Sequence, residues 1–478
     1  MKKMNLLAMS LVSAAALSFS SCSNNDDLTS GGGSNQAKVE GFYMTFAVQT
    51  PTSNGTRTQQ QTQKVDATEA ESKVTSGTFY LVDAKGDIIF TKNITETEWT
   101  NAAPVLTTAG KAQIQVPVQN VKEGVTYTVY FLANTTDPKP WESVFTAPTG
   151  FNGGFATDKK FVMFNQNDKN SHANKYTVKF EAANKDAATP AAVNETIMLD
   201  RVTARIDKPT SEKTTIEGTI PDGASDLQKK AIADAKAKVK TITLSKYAIT
   251  NLSNKTNIMQ QWDATWNALQ IPTGITYIQP QANLGGKYNL KNPEWFTDAA
   301  KNYVFENTAV APTTMYFEYT VALDETKFTD TPDCTDGTFY RYNGNIYRSI
   351  AAIYAAYADQ PVLFGGKTSE TLKGELKITA DGKIGATETE LAKFRKDNVI
   401  EVFREGKTYY SQVIKDHWLT TNTIQRNTVY QLKVKNIFNV GADVPNGIPD
   451  ENKPMYYLDV EVSVNPWVLS TQDVNLGE

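Results

Sequence analysis

Phe42, Met44, Phe46 and Val48 alternate with Tyr43, Thr45 and Ala47 within residues 39–49. A period of two lets one face of a strand be buried, so this stretch predicts a half-buried strand. The same pattern predicts strands at 112–118, 124–133, 174–180, 193–206, 239–249, 303–305 and 313–321, and again at 397–404, 408–414, 428–437 and 456–464. Residues 69–82 read as a turn or short helix running into a strand that pairs through a tight turn with 88–90. Residues 161–164 form an apolar island between polar loops. Residues 338–356 open as a hairpin with Asn343 and Gly344 at its turn, a strong hairpin signal. They then become helical, with Ile350, Ile353 and Tyr354 recurring at helix spacing.

Two regions break the alternation. Residues 207–238 are polar and rich in Ala, Lys and Asp, which predicts a linker or insertion with part of 226–239 helical; a boundary falls near residue 205. The tract 256–306 carries Trp262, Trp266 and Trp295 among polar residues and is long for a loop. It reads as a packed excursion, with an exposed aromatic platform as the alternative. On the strand 193–206, Arg201 and Arg205 share a face, read as solvated surface or a domain seam rather than a site. The chain end does not turn polar. Trp467, Leu469, Val474 and Leu476 continue an apolar pattern, so the last residues are expected to bury side chains somewhere.

The expected fold class is therefore all-β. With 478 residues the chain exceeds one ordinary core, which favours two domains. The formal charge of -4 is small, and no basic stripe points to nucleic acid. His172 and His417 have no metal or triad spacing, and no phosphate loop or nucleophile motif stands out. No cofactor, metal or catalytic residue is expected. The two cysteines are Cys22 and Cys334. Cys334 lies in a turn-like TPDCTDG segment and reads as an inert loop thiol.

The first residues read as a secretory signal. Lys2 and Lys3 precede the apolar run 6–19, and Ser20, Ser21 and Cys22 come next. This is a lipoprotein-type pattern in which Cys22 becomes the lipidated first residue, the plain alternative being an ordinary signal with an incidental cysteine. Residues 23–36 cannot bury apolar area and read as a tether.

Beyond strand 39–49 comes a polar, Gly- and Pro-punctuated stretch containing Arg57 between Thr56 and Thr58. A cut after Arg57 would leave the strand held only by its sheet contacts. Its loss would bare an apolar groove and unpaired backbone, a template for another chain. The apolar tail of a second copy could fill it by strand addition. Four buried side chains at ~1.5–3 kcal/mol each are worth roughly 6–12 kcal/mol before ordering costs. Such a contact is head-to-tail and grows a filament. The competing reading is a permanent strand, a surface arginine and a tail packed at home.

The chain resembles the fimbrial shaft subunits of Bacteroidales bacteria, the FimA-type and minor-fimbrium group, and most of all the minor-fimbrium type. The resemblance runs over nearly the whole chain: SSC at 20–22, GFYMTFAV at 41–48 before TRT at 56–58, EAESKV at 69–74, LDRVTARI at 199–206, YVFENT at 303–308, QRNTVYQLKVKNIFNVG at 425–441 and VEVSVNPW at 460–467. It implies two β-sandwich, transthyretin-like domains with small helical insertions. The implied divisions are a signal peptide (1–21), a lipidated propeptide carrying the removable strand (22–57), an N-terminal domain (58–205), a C-terminal domain (206–465) and a donor tail (466–478). It implies a palmitoylated outer-membrane lipoprotein precursor, cut between Arg57 and Thr58 by an arginine-specific protease. Copies then join head to tail in a type V-like fimbria. Trp467, Leu469, Val474 and Leu476 are the candidate plugs for the place left by Phe42, Met44, Phe46 and Val48. Anchor and tip subunits, and host proteins or glycans, are the further partners implied. The alternatives are an accessory anchor or tip subunit, and a surface glycan-binding lipoprotein.

Overall fold

A computed structural model describes residues 41–50, 65–101, 111–147, 161–168, 171, 173–217, 223–263, 265, 268–278, 281–284, 287–290, 294–298, 301–308, 311–360, 362–414, 416, 422–445 and 458–469. β-Sheet dominates them, with a modest helical component. Among them no helix is long and apolar enough to cross a membrane.

Among the described residues the first sheet has nine strands. From strand Phe42–Gln49 it runs through Ile197–Arg201, Met163–Asn165, Thr126–Ala133 and Ser76–Val82 to the edge strand Ile88–Thr95. In a flat sheet, strands four steps apart would lie about 19 Å from one another. Yet Phe46 on the first strand stacks on Phe79 of Ser76–Val82 at 4.3 Å between ring centroids. The sheet therefore curls, and its buried side chains converge on one core. Gly77 permits the curl locally: a Cβ there would sit 2.2 Å from the Phe131 ring, which itself packs 6.4 Å from Phe46.

At Val202 the chain leaves this sheet. Thr203–Ile206 lies in a second sheet with Asn302–Phe305, Thr428–Ile437, Leu458–Leu469 and Val65–Ala67. A separate three-stranded sheet pairs Val239–Thr250, Thr314–Leu323 and Lys407–Val413. Ile206, Val304, Tyr430 and Leu432 from the one meet Ile242, Phe317, Val321 and Tyr410 from the other in one core. Helix Asp226–Lys238 starts at a Ser225 capping box completed by Gln228.

Two strands cross the division drawn near residue 205. Val65–Ala67 sits in the second sheet, and Lys255–Asn257 pairs with Val144–Thr146. Residues 324–406 form an excursion between strands that are themselves neighbours, Thr320 standing opposite Lys407. The excursion has its own core of Tyr340, Ile350, Ile353, Leu372, Leu376, Leu391 and Phe394. Its helices Ser369–Leu376 and Glu388–Asn398 were not expected from the alternation, and the strand expected at 397–404 shortens to Glu401–Phe403.

Candidate functional site

Strand Phe42–Gln49 is held along both edges. One edge pairs antiparallel with Lys111–Val118 through all eight residues, from Phe42 opposite Val118 to Gln49 opposite Lys111. The other edge meets Ala191 and Ala192, then Ile197 and Met198, in short parallel ladders. Among the described residues Lys111–Val118 pairs with no other strand. Removing Phe42–Gln49 would thus leave Lys111–Val118 without its ladder.

The strand's inner face is sealed. Phe42, Met44, Phe46 and Val48 are 8%, 0%, 2% and 0% exposed, while the residues between them are half-buried. Phe42 meets Phe180 edge-on at 5.5 Å, and the Lys185 ammonium lies 5.4 Å from the Phe42 ring. Such packing gives each side chain a defined seat, which a replacement strand would have to reproduce. Truncating the most enclosed ring, Phe46→Ala, is expected to cost the uncut protein about 3–5 kcal/mol in urea unfolding. A loss below about 1 kcal/mol would mean that the strand is loosely seated.

The C-terminal strand Leu458–Leu469 has partners in its own chain. It pairs antiparallel with Thr428–Ile437, Leu458 opposite Ile437 and Pro466 opposite Thr428. Beyond that ladder, Trp467, Val468 and Leu469 pair in parallel with Val65, Asp66 and Ala67. Two of the four tail candidates, Trp467 and Leu469, are therefore placed in this sheet by their backbone. Val474 and Leu476 lie outside the described residues, as do Cys22, Arg57, Thr58, His172, His417 and Trp266.

The chain has eight arginines, and Arg57 is the only one before Arg201. The other seven are engaged in the body. Arg341 forks onto Glu401 at 2.5 and 2.6 Å, Arg395 pairs with Asp443, Arg404 with Glu388 and Arg426 with Glu306 at 2.7 Å. Arg348 contacts Glu325.

Arg201 and Arg205, whose face was expected at solvated surface or in a domain seam, are not solvated: they are 0% and 4% exposed. The face closes over them because helix Glu69–Ser72 supplies their partners. Thr68 caps that helix in a capping box whose acid is Glu71. Glu71 is itself 2% exposed and accepts from Lys301 Nζ at 2.8 Å and Tyr303 Oη at 2.7 Å, with Arg205 at 3.4 Å. Arg201 donates to the Glu71 carbonyl at 2.7 Å, to Ser72 Oγ at 2.8 Å and to Asn427 Oδ1 at 2.9 Å. Burial pushes the Glu71 carboxyl up, but the Lys301, Tyr303 and Thr68 hydrogen bonds and the Arg205 charge outweigh it and hold it at about 2. Burial brings the Arg201 guanidinium down to about 9, with Glu71 and Asp200 opposing it, so it stays charged at neutral pH. The sequence signal for this cluster was the T-x-x-E spacing of Thr68 and Glu71; nothing local marked Lys301 or Tyr303 as its partners.

Other candidates offer no chemistry. Cys334 is buried, and burial with the nearby Asp336 charge pushes its thiol up to about 11, which keeps it protonated and unreactive. Trp262 and Trp295 are half-buried; the Trp262 indole donates to Gln260 Oε1 at 3.2 Å, and Trp295 packs near Tyr409. Among the described residues no group of three His, Cys, Asp or Glu could hold a metal ion.

Residues 401–473 match the family described as "Major fimbrial subunit protein type IV, Fimbrillin, C-terminal". The matched region contains the strands Lys407–Val413, Thr428–Ile437 and Leu458–Leu469. No curated protein matches the chain. Among solved structures, one similar chain is a "putative cell adhesion protein" from Parabacteroides distasonis, at 12% identity over 91% of this chain and 99% of that one, with a TM-score of 0.43. Another, of the same description, comes from Bacteroides eggerthii, at 12% identity over 91% and 99%, with a TM-score of 0.40. A fimbrial assembly protein from Parabacteroides distasonis is similar at 14% identity over 59% and 99%, with a TM-score of 0.29. Residues 401–473 are thus similar to the C-terminal part of fimbrial subunit proteins.

Proposed function

We propose that the chain is the structural shaft subunit of a type V-like Bacteroidales fimbria, polymerised by strand exchange after proteolysis. The precursor is exported, lipidated at Cys22 and held at the outer membrane. An arginine-specific protease cuts between Arg57 and Thr58 and frees the segment that carries Phe42–Gln49. The C-terminal segment of a second copy then occupies the vacated place. The observation that carries this reading is the position of Phe42–Gln49. It is the only ladder partner of Lys111–Val118 among the described residues, and it seats four core side chains. A subunit that loses it must refill the place or lose its first core.

The same geometry sets the kinetics. While the strand is covalently attached, its effective concentration at the groove is high, and no second chain competes. The cut removes that advantage and makes both strands intermolecular competitors. A head-to-tail contact of this kind does not close on itself, so repetition gives a filament.

Treating the purified precursor with an arginine-specific protease tests the reading. The expected products are a chain beginning at Thr58 and SDS-resistant multimers. A stable, cut monomer would instead favour an accessory subunit that needs other partners. Anchor and tip subunits, and host proteins or glycans, complete the proposed partner set.

A further inference from the structure

Residues 65–72, downstream of the proposed cut, are fastened to the body of the protein and pair with the root of the tail. Val65–Ala67 forms the outer ladder against Trp467–Leu469. It continues through Thr68 into helix Glu69–Ser72, which Arg201, Arg205, Lys301 and Tyr303 fasten through the Glu71 cluster. Nearly dry ion pairs fully supplied with hydrogen bonds are costly to break from one side, because the remaining charges stay buried.

We propose that residues 65–72 are a retained clamp on the C-terminal strand, so that a subunit keeps Trp467–Leu469 in its own sheet and offers a second copy only the residues beyond Leu469. This rests on the strand-exchange reading and sharpens it by setting the donor's starting point. The lengths agree. The eight residues Phe42–Gln49 span about 27 Å, and residues 470–478 alone reach about 30 Å when extended. Val474 and Leu476 are then the plugs that enter the neighbour, while Trp467 and Leu469 stay at home. With the clamp in place, scission upstream of it is expected to release only one of the two strands. Phe42–Gln49 leaves as a unit, whereas Val65–Ser72 is tied through Glu71 to strands Thr203–Ile206 and Asn302–Phe305.

The experiment has two arms. In the uncut precursor, amide hydrogen exchange is compared between wild type and Glu71→Gln, with Arg201→Met as a second variant. The clamp predicts at least tenfold faster exchange at both 65–67 and 467–469, with Thr126–Ala133 unchanged. Loosening at 65–67 with unaltered protection at 467–469 would overturn it. This arm needs no cleavage, so it stands or falls apart from the strand-exchange reading. In the second arm, isotopically light and heavy subunits are mixed before cutting, with Trp467 replaced by p-benzoylphenylalanine. Cross-links to 65–72 of the same copy are expected in the multimers. Cross-links from that position to 111–118 of a different copy would overturn the clamp while leaving strand exchange intact.

Discussion

An Arg57→Ala precursor is expected to remain a folded monomer under conditions in which the wild type forms multimers. Position and burial together make the effect large. Arg57 is the only arginine before Arg201, so no substitute lies between the strand Phe42–Gln49 and the body. Downstream, Arg201, Arg205, Arg341, Arg348 and Arg426 are buried, and Arg395 and Arg404 are half-buried in ion pairs. A protease reaches such residues only after local unfolding, which the core makes rare. The uncut strand then stays in place with its four inward side chains, and the groove is closed to competitors. Multimer yield is expected to fall at least a hundredfold by gel densitometry, with thermal stability unchanged. Multimers of normal length from this variant would show that assembly does not wait for this cut.

Truncation after Leu469 is expected to have a comparable effect for the opposite reason. The variant keeps Leu458–Leu469 and its ladders with Thr428–Ile437 and Val65–Ala67, so its second sheet is intact. It can be cut after Arg57 and can accept a strand, but it has none to give. Alone it yields no multimers. Mixed in equal amounts with wild type before cutting, it shortens the ladder several-fold, because every copy that accepts a donor ends a chain. Unchanged ladder lengths in the mixture would place the donor elsewhere in the sequence. The contrast with Arg57→Ala is informative: that variant cannot accept a strand but keeps its own tail to give, so adding it also shortens wild-type ladders, by capping the opposite end of the chain.

Much of the fold was legible because most of the strands announce themselves by period. Phe42, Met44, Phe46 and Val48 gave both the strand and its buried face, and Asn343 with Gly344 marked the hairpin Phe339–Tyr342 and Asn345–Tyr347. Helix Glu388–Asn398 was legible in principle, since Thr387 and Glu390 form a capping box, but its apolar stripe is too thin to stand out by period. The remainder was hidden for physical reasons. Val65–Ala67 is too short to show a period, and only pairing with a partner some four hundred positions away assigns it to the second sheet. Arg201 and Arg205 read as surface or seam alike, because a sequence displays charge but not the carboxylate that neutralises it. Their burial depends on Glu71, which reaches them across more than a hundred residues. Another buried ion pair, Arg426 with Glu306, was hidden in the same way.

The central claim is that one copy's C-terminal segment takes the place of another copy's strand Phe42–Gln49. The most direct measurement is photo-cross-linking from position 474 in multimers grown from mixed light and heavy subunits, read by mass spectrometry. The account predicts mixed-isotope cross-links from that position to residues 111–118, appearing only after scission between Arg57 and Thr58. Cross-links confined to a single copy, with residues 42–49 still bound beside Lys111–Val118, would contradict it.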